Sequence, residues 1–231
     1  MRKQLVIGLG EVGTAIQRIL GCDGYDPARM VLKVDKQYDV LHICFPYHDA
    51  DTFNDAVREY VAFHTPSLVI IHSTVPVGTS AIHGAVHSPI RGLHPNLEQG
   101  IRTFVKFFGG PKAEEAALLF SDLGIKCLVT DKAENTEAMK LWDTLQYGMA
   151  ILLQQEIHEY CQDHGLDFSV VYTEANHTYN QGYAALGRPE YAKYVLKHVP
   201  GRIGGHCVVP NARLIDTSSA DRLLYSQGEF S

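Results

Sequence analysis

Gly8-Leu9-Gly10-Glu11-Val12-Gly13 lies between an apolar run at residues 4–8 and a segment with helical spacing at residues 11–20. In this G-x-G-x-x-G pattern the first glycine permits a tight turn, and the second lets a pyrophosphate approach the backbone. The third allows close packing of helix on strand. The helix N-terminus adds N–H groups and a positive dipole. Because strand, glycine turn and helix follow in that order, the pattern predicts a dinucleotide site at Gly8, Gly10, Glu11, Val12 and Gly13.

An acidic residue about 20 positions after the first glycine is expected to end the second strand and to bind the adenosine ribose. Asp26 stands close to that position, in Gly-Tyr-Asp-Pro. Its carboxylate would accept hydrogen bonds from the ribose hydroxyls and repel a 2′-phosphate, so the sequence predicts NAD as the cofactor. Asp23 is an alternative position for this acid, and Arg29 would instead favour a phosphate.

Apolar runs alternate with helical segments over residues 1–131. Besides the first strand, the strand candidates are residues 40–45, 68–71, 104–108 and 125–129, and helix-like segments lie between several of them, at 49–63 and 111–123. The alternation predicts an α/β fold, a Rossmann-type doubly wound and mostly parallel sheet that forms an NAD-binding domain. Ligands bind at the carboxyl ends of such strands, and four residues following strands there are predicted to bind cofactor: Pro46, Ser73, Thr74 and Thr79.

The remaining residues, 132–231, are predicted to form a helical domain with one long central helix. From residue 133 to residue 164 the apolar side chains follow i, i+3, i+4 spacing, and Gly148 is the one glycine or proline. A helix of this length spans roughly 45 Å. One small sheet cannot cover it, so we expect its apolar face to mediate a homodimer.

Composition and charge exclude several functional classes. The chain has 231 residues, 45% of them hydrophobic, and a net charge of -6. This negative net charge does not favour binding to nucleic acid or to an anionic membrane. No apolar run reaches the length that spans a bilayer. The five cysteines have no paired spacing, and no leader segment is recognised at the N-terminus. These features predict a cytoplasmic protein with reduced thiols, and the twelve histidines show no metal-ligand spacing.

Three segments carry a resemblance to a known family. Residues 72–79 read His-Ser-Thr-Val-Pro-Val-Gly-Thr, residues 137–141 read Glu-Ala-Met-Lys-Leu, and residues 204–207 read Gly-Gly-His-Cys. In this order they resemble motifs of the UDP-glucose/GDP-mannose dehydrogenase family. The resemblance implies NAD-dependent oxidation of a sugar's primary alcohol to a carboxylate in two hydride transfers, with Lys140 stabilising an oxyanion and Cys207 acting as nucleophile. Both roles are physically sound, because an ammonium stabilises negative charge and helix N-termini favour thiolates.

The chain departs from the family pattern at two catalytic positions. Thr144 stands where the family has an asparagine, and Asn211 where it has an aspartate. The family's Asn-Pro-Glu segment corresponds to His94-Pro95-Asn96, so Asn96 stands where the family has a glutamate. Because an amide is not a general base, the four-electron oxidation does not follow from the resemblance. A nucleotide-sugar substrate does not follow either, because the family's C-terminal domain helps to bind the nucleotide. The chain ends soon after Cys207, so it is interpreted as a form without the family's C-terminal domain.

The sequence therefore predicts an NAD-dependent oxidoreductase acting on an alcohol or aldehyde group of a small polar metabolite, such as a sugar derivative. Two alternatives stay open. One is a dinucleotide-binding protein that has lost catalysis and serves as a sensor or assembly partner. The other is a Rossmann protein that binds a different adenosine ligand, such as S-adenosylmethionine.

Overall fold

The computed structural model of the chain describes residues 2–28, 37–92, 94–204 and 207–229. Two compact units are present, Met1–Lys140 and Leu141–Ser231, here called unit 1 and unit 2. The division falls within the long helix, whereas the sequence predicts a boundary just before that helix, after residue 131. Within the described residues, none of the helices is both long and apolar enough to cross a lipid bilayer.

Unit 1 is built on a sheet that has seven strands in the described part of the chain. In chain order the strands are β1 (Gln4–Ile7), β2 (Asp23–Tyr25), β3 (Val40–Ile43), β4 (Leu68–Ile71), β5 (Val86–His87), β6 (Lys106–Gly109) and β7 (Cys127–Thr130). Their order in the sheet is β2-β1-β3-β4-β5-β6-β7, and all neighbours are parallel except β5 and β6. The strand order reverses at β1, between β2 and β3. This is the predicted doubly wound arrangement, whose ligand crevice lies at the carboxyl ends of these strands.

Helices cover both faces of this sheet. They are α1 (Glu11–Leu20), α2 (Ala50–His64), α3 (Thr79–Ile82), α4 (Leu97–Thr103) and α5 (Ala113–Ser121). Ile16 of α1, Ile101 of α4 and Phe120 of α5 share one core cluster, while Phe53 and Val57 of α2 belong to the other. Parallel strands buried on both faces need continuous apolar runs, and β3 and β4 are indeed buried throughout.

The long helix α6 (Ala133–Asp163) has 31 residues, as the sequence predicted, and belongs to both units. Unit 2 adds a π-helical turn at Ser169–Glu174, α7 (Ala175–Ala185), a 3₁₀ turn at Pro189–Tyr191, α8 (Val208–Ala212) and α9 (Ser218–Ser226). Its core joins Leu145 and Leu152 of α6 to Val208 and Leu223. In contrast, α7 contains no buried residue. Unit 2 thus packs mainly through α6, α8 and α9.

A polar cluster lies inside the core of unit 1. His42 Nδ1 and His72 Nε2 are 3.1 Å apart, His72 Nδ1 lies 2.8 Å from the Ser88 carbonyl oxygen, and the Lys106 ammonium donates to the same oxygen at 3.2 Å. Burial lowers the pKa of Lys106 to about 7. Burial and the charge of Lys106 lower the pKa of His42 to about 3. The same two causes also lower the pKa of His72. The histidines are therefore neutral at physiological pH.

Candidate functional site

The glycine turn joins β1 to α1 at the carboxyl edge of the sheet. Gly8 has a φ of +91°, and a Cβ there would lie 2.7 Å from the Phe45 backbone nitrogen. A Cβ on Gly13 would lie 1.8 Å from the Gly8 carbonyl oxygen. Around Gly10, by contrast, an added Cβ would meet no heavy atom within 4 Å. The turn thus has two glycines required by contact and a middle glycine that faces open space, as a pyrophosphate would need.

Asp26 follows β2 and reaches the glycine turn directly. Its Oδ2 accepts a hydrogen bond from the Leu9 backbone N–H at 2.9 Å, and its Oδ1 accepts one from the Ala28 N–H at 3.0 Å. The alternative acid, Asp23, begins β2 and accepts from the Tyr38 hydroxyl at 2.7 Å. Since ligands bind beyond the carboxyl ends of strands, Asp26 has the better position for the ribose. Arg29 lies outside the described residues.

The segments after β3 and β4 are joined by Ser73. Its hydroxyl donates to the Phe45 carbonyl oxygen at 2.5 Å, next to the exposed Pro46. Thr74 follows, half-buried, and the Thr79 hydroxyl donates to the Pro76 carbonyl oxygen at 2.7 Å. Because β1 to β4 are all parallel, the predicted cofactor residues of these loops lie at the same edge of the sheet as the glycine turn.

His87, at the end of β5, connects α6 to the end of β4. Its Nε2 lies 3.2 Å from the Ser73 carbonyl oxygen, and its Nδ1 lies 2.8 Å from the Thr136 hydroxyl. Burial lowers the pKa of His87 to about 3, so the ring is neutral. A neutral ring satisfies both contacts by donating from Nε2 and accepting at Nδ1. His83, four residues earlier in the chain, also has a polar partner, since its Nε2 lies 2.8 Å from Asn54 Oδ1.

Glu137, the next residue of α6, is fully buried and holds the segment after β4. Its Oε2 accepts from the Gly78 N–H at 2.6 Å, and its Oε1 accepts from the Ser80 N–H at 2.8 Å. Burial raises the pKa of Glu137, and the hydrogen bonds from Ser80 and Gly78 act in the opposite direction. Sequence reasoning did not single out this residue, although it opens the motif that contains Lys140.

Lys140 lies one turn further along α6 and is the last residue of unit 1. Its ammonium donates to the Ile90 carbonyl oxygen at 3.0 Å, in the segment that follows β5. The predicted catalytic lysine is therefore half-buried and directed to the loops after β5, on the same helix as Thr136 and Glu137. An ammonium held in this way can polarise an oxygen that develops negative charge.

A groove of about 680 Å³ opens beside the glycine turn. Its walls include Thr14 and Arg18 of α1 and Gln99 and Arg102 of α4. Glu11, in the first turn of α1, contacts the ring of His94 through a carboxylate oxygen and Nδ1, close to the start of α4. The volume falls in the range typical of small-molecule sites.

In unit 2 the two positions that depart from the family pattern contact each other. Asn211 Nδ2 donates to the Thr144 hydroxyl at 3.2 Å, and that hydroxyl donates to the Leu141 carbonyl oxygen at 3.0 Å. Cys207 is half-buried and immediately precedes α8. Gly205 and His206 of the same motif lie outside the described residues.

No protein-family model matches the chain, and no curated protein is detectably similar to it in sequence. Solved structures are similar in fold. A UDP-D-ManNAc dehydrogenase from Pyrococcus horikoshii has a TM-score of 0.78 at 18% identity, over 98% of this chain and 68% of that one. A 3-hydroxyisobutyrate dehydrogenase from Mycobacterium tuberculosis has a TM-score of 0.68 at 15% identity, over 100% and 94%.

An NDP-N-acetyl-D-galactosaminuronic acid dehydrogenase from Methanosarcina mazei has a TM-score of 0.64 at 16% identity, over 100% of this chain and 62% of that one. The chain thus spans about two thirds of the length of these nucleotide-sugar dehydrogenases and nearly all of the 3-hydroxyisobutyrate dehydrogenase. The resemblance indicated by the sequence motifs is confirmed at the level of the fold: the chain has the fold of the nucleotide-sugar and 3-hydroxyisobutyrate dehydrogenases.

Proposed function

We propose that the protein is an NAD-dependent oxidoreductase acting on an alcohol or aldehyde group of a small polar metabolite, such as a sugar derivative. The observation that carries the proposal is the glycine turn, in which Gly10 faces open space at the start of α1 while Asp26 holds the Leu9 N–H. Similarity to solved dehydrogenases supports the same reading. Asp26 in place of a basic residue favours NAD over NADP.

Each residue has a defined role in this proposal. Gly8, Gly10, Gly13, Glu11 and Val12 form the pyrophosphate cradle. Asp26 receives the ribose, and Pro46, Ser73, Thr74 and Thr79 border the nicotinamide end. When bound, the nicotinamide would accept or supply the hydride. Lys140 polarises the substrate oxygen, and Cys207 is the nucleophile for a carbonyl substrate, with Thr144 and Asn211 among the catalytic residues.

Direct titration tests the cofactor. We expect NADH fluorescence to rise on binding and NAD to displace NADH, because the Gly10 cradle recognises the shared pyrophosphate. S-adenosylmethionine has no pyrophosphate, so we expect it not to compete. Competition by S-adenosylmethionine, with no response to NAD, would assign the site to the other adenosine ligand. Turnover is then measured as NADH absorbance across a panel of alcohols, hydroxy acids and aldehydes.

A second candidate function is a dinucleotide-binding protein without catalysis. It is favoured by the residue types of the contacting pair Thr144 and Asn211, since neither side chain is a carboxylate that could act as a general base. Alkylation of Cys207 at neutral pH, followed by mass spectrometry, separates the two functions. For the oxidoreductase we expect NAD to change the Cys207 rate severalfold while Cys22, a half-buried thiol of unit 1, is unaffected. A Cys207 rate indifferent to saturating NAD would favour the binding protein.

We further propose that α6 mediates a homodimer. Within unit 2, α6 exposes Trp142, Tyr147, Leu153 and Tyr160, each by 44% or more of its surface. We expect sedimentation to give a dimer and Leu153→Glu to shift it towards monomer, because a carboxylate in an apolar interface is costly. Gln162→Glu, an exposed substitution on the last turn of the same helix, serves as the control. A monomeric wild-type protein at micromolar concentration would contradict the proposal.

A further inference from the structure

The carboxylate of Glu137 has no role in the chemistry proposed above, yet it is among the most buried acidic groups described. Its two oxygens accept the backbone N–H groups of Gly78 and Ser80, at 2.6 and 2.8 Å. A carboxylate withdrawn from water needs such partners to remain in a core. Both donors belong to one short segment, so Glu137 determines where that segment lies.

The segment needs an external anchor for a local reason. Gly78 has a φ of +97°, and α3 after it has only four residues. The first N–H groups of any helix have no intrahelical acceptor, and Ser80 is fully buried, so water cannot replace the missing partner. Thr79, between the two donors, turns its hydroxyl to the Pro76 carbonyl oxygen instead. The carboxylate of α6 therefore supplies acceptors that the segment itself lacks.

The same stretch of α6 makes two other contacts at this edge of the sheet. Thr136 contacts His87, which in turn contacts the Ser73 carbonyl oxygen, and Lys140 donates to the Ile90 carbonyl oxygen. Lys140 lies one helical turn from Glu137, a separation that the helix backbone keeps constant. An α-helix is stiff over one turn, so moving the Glu137 anchor would also change the distance from the segment to Lys140.

We propose that Glu137 is a positioning residue for hydride transfer, which holds the nicotinamide-binding segment at residues 73–80 at a set distance from the Lys140 ammonium. The inference rests on the proposed NAD-dependent function. Glu137 is fully buried and its carboxylate accepts two backbone N–H groups, so we assign it no part in taking the substrate proton. It acts through the segment that it holds.

The test compares two ligands on three proteins: wild type, Glu137→Gln, and Glu134→Gln as a matched substitution one turn earlier on α6. NADH carries the nicotinamide, whereas ADP-ribose has the same adenosine, pyrophosphate and second ribose without it. Glutamine turns an NH₂ group towards one of the two N–H donors. We expect Glu137→Gln to weaken NADH binding roughly tenfold and ADP-ribose binding less than twofold, since a hydrogen bond to a charged group is lost near the nicotinamide alone. Glu134→Gln should change neither.

Hydrogen exchange of the Gly78 and Ser80 amides supplies a readout independent of ligand, and both amides should exchange faster in Glu137→Gln. Loss of folded protein would not produce the expected result, because ADP-ribose binding itself requires the folded glycine turn.

Equal weakening of the binding of both ligands by Glu137→Gln, or no weakening of either, would overturn the positioning role. If wild type binds neither NADH nor ADP-ribose, the proposed NAD-dependent function fails together with it. If wild type binds both equally, the dinucleotide site stands and the nicotinamide assignment of residues 73–80 fails.

Discussion

Replacing Gly13 with alanine is expected to prevent unit 1 from folding with a usable cofactor site. The new Cβ would lie 1.8 Å from the Gly8 carbonyl oxygen and 3.2 Å from the Cys44 side chain. The first contact is with backbone, which has no rotamer to change, so α1 must move away from β1. We expect a destabilisation of about 3 kcal/mol or more, the upper range of overpacking in a core. Thermal unfolding followed by circular dichroism measures this change.

Gly10→Ala is the matched control, because it makes the same chemical change within the same turn. Gly10 has a φ of -68°, which alanine adopts readily, and an added Cβ meets nothing within 4 Å. We expect its unfolding temperature to stay close to that of wild type while NADH binding weakens strongly, since the methyl group occupies space needed by the pyrophosphate. Equal stability of the Gly13 variant and wild type would show that this turn does not pack as described.

Lys106→Met is expected to stabilise the protein at pH 7, where the lowered pKa of the buried ammonium corresponds to a penalty of roughly 4 kcal/mol, which is unusually large for one side chain. The ammonium is buried between the rings of Phe108 and Phe120, at 5.4 and 5.1 Å from their centroids, and it donates to the Ser88 carbonyl oxygen. Burial lowers its pKa from 10.5 to about 7. Methionine fills a similar volume without a charge, and the Ser88 oxygen retains its contact with His72.

The pH dependence of this gain identifies its cause. Between pH 7 and 10.5 the unfolded chain holds a proton on Lys106 that the folded protein tends to release, so the penalty of the buried lysine falls as pH rises. The advantage of Lys106→Met should thus be largest below pH 7 and nearly absent by pH 10.5. Urea unfolding at a series of pH values measures it, with exposed Lys126→Met as the control. A gain that does not change with pH would attribute the effect to packing rather than charge.

The sheet and its glycine turn could be predicted because their signals are local. Continuous apolar runs predicted β3 and β4, and the glycine spacing predicted the turn before α1. β5 has only two residues, Val86–His87, so it shows no periodicity, and α4 begins within a segment that has no clear apolar stripe. Such elements form because the surrounding sheet and helices leave space for them. That information is tertiary and is absent from a short sequence window.

The candidate site divides in the same way. Gly8, Asp26 and Ser73 were predictable because each follows a strand, and parallel strands bring their carboxyl ends together. Glu137 was missed because a glutamate on a helix normally faces water, and only the fold shows that backbone N–H groups approach it. The burial of the Lys106 ammonium was missed for a related reason. Its neighbours Phe107 and Phe108 predict a strand, but they do not show on which face of the sheet the lysine side chain lies.

The participation of α6 in unit 1 limits how the chain can be divided. A fragment that stops at Asp131 would contain all the strands described above and the complete glycine turn. It would lack Thr136 and Glu137, and so leave His87 without its hydroxyl partner and two backbone N–H groups after β4 without acceptors. Exchange of this α/β module between proteins therefore requires the first turns of the following helix to be transferred with it.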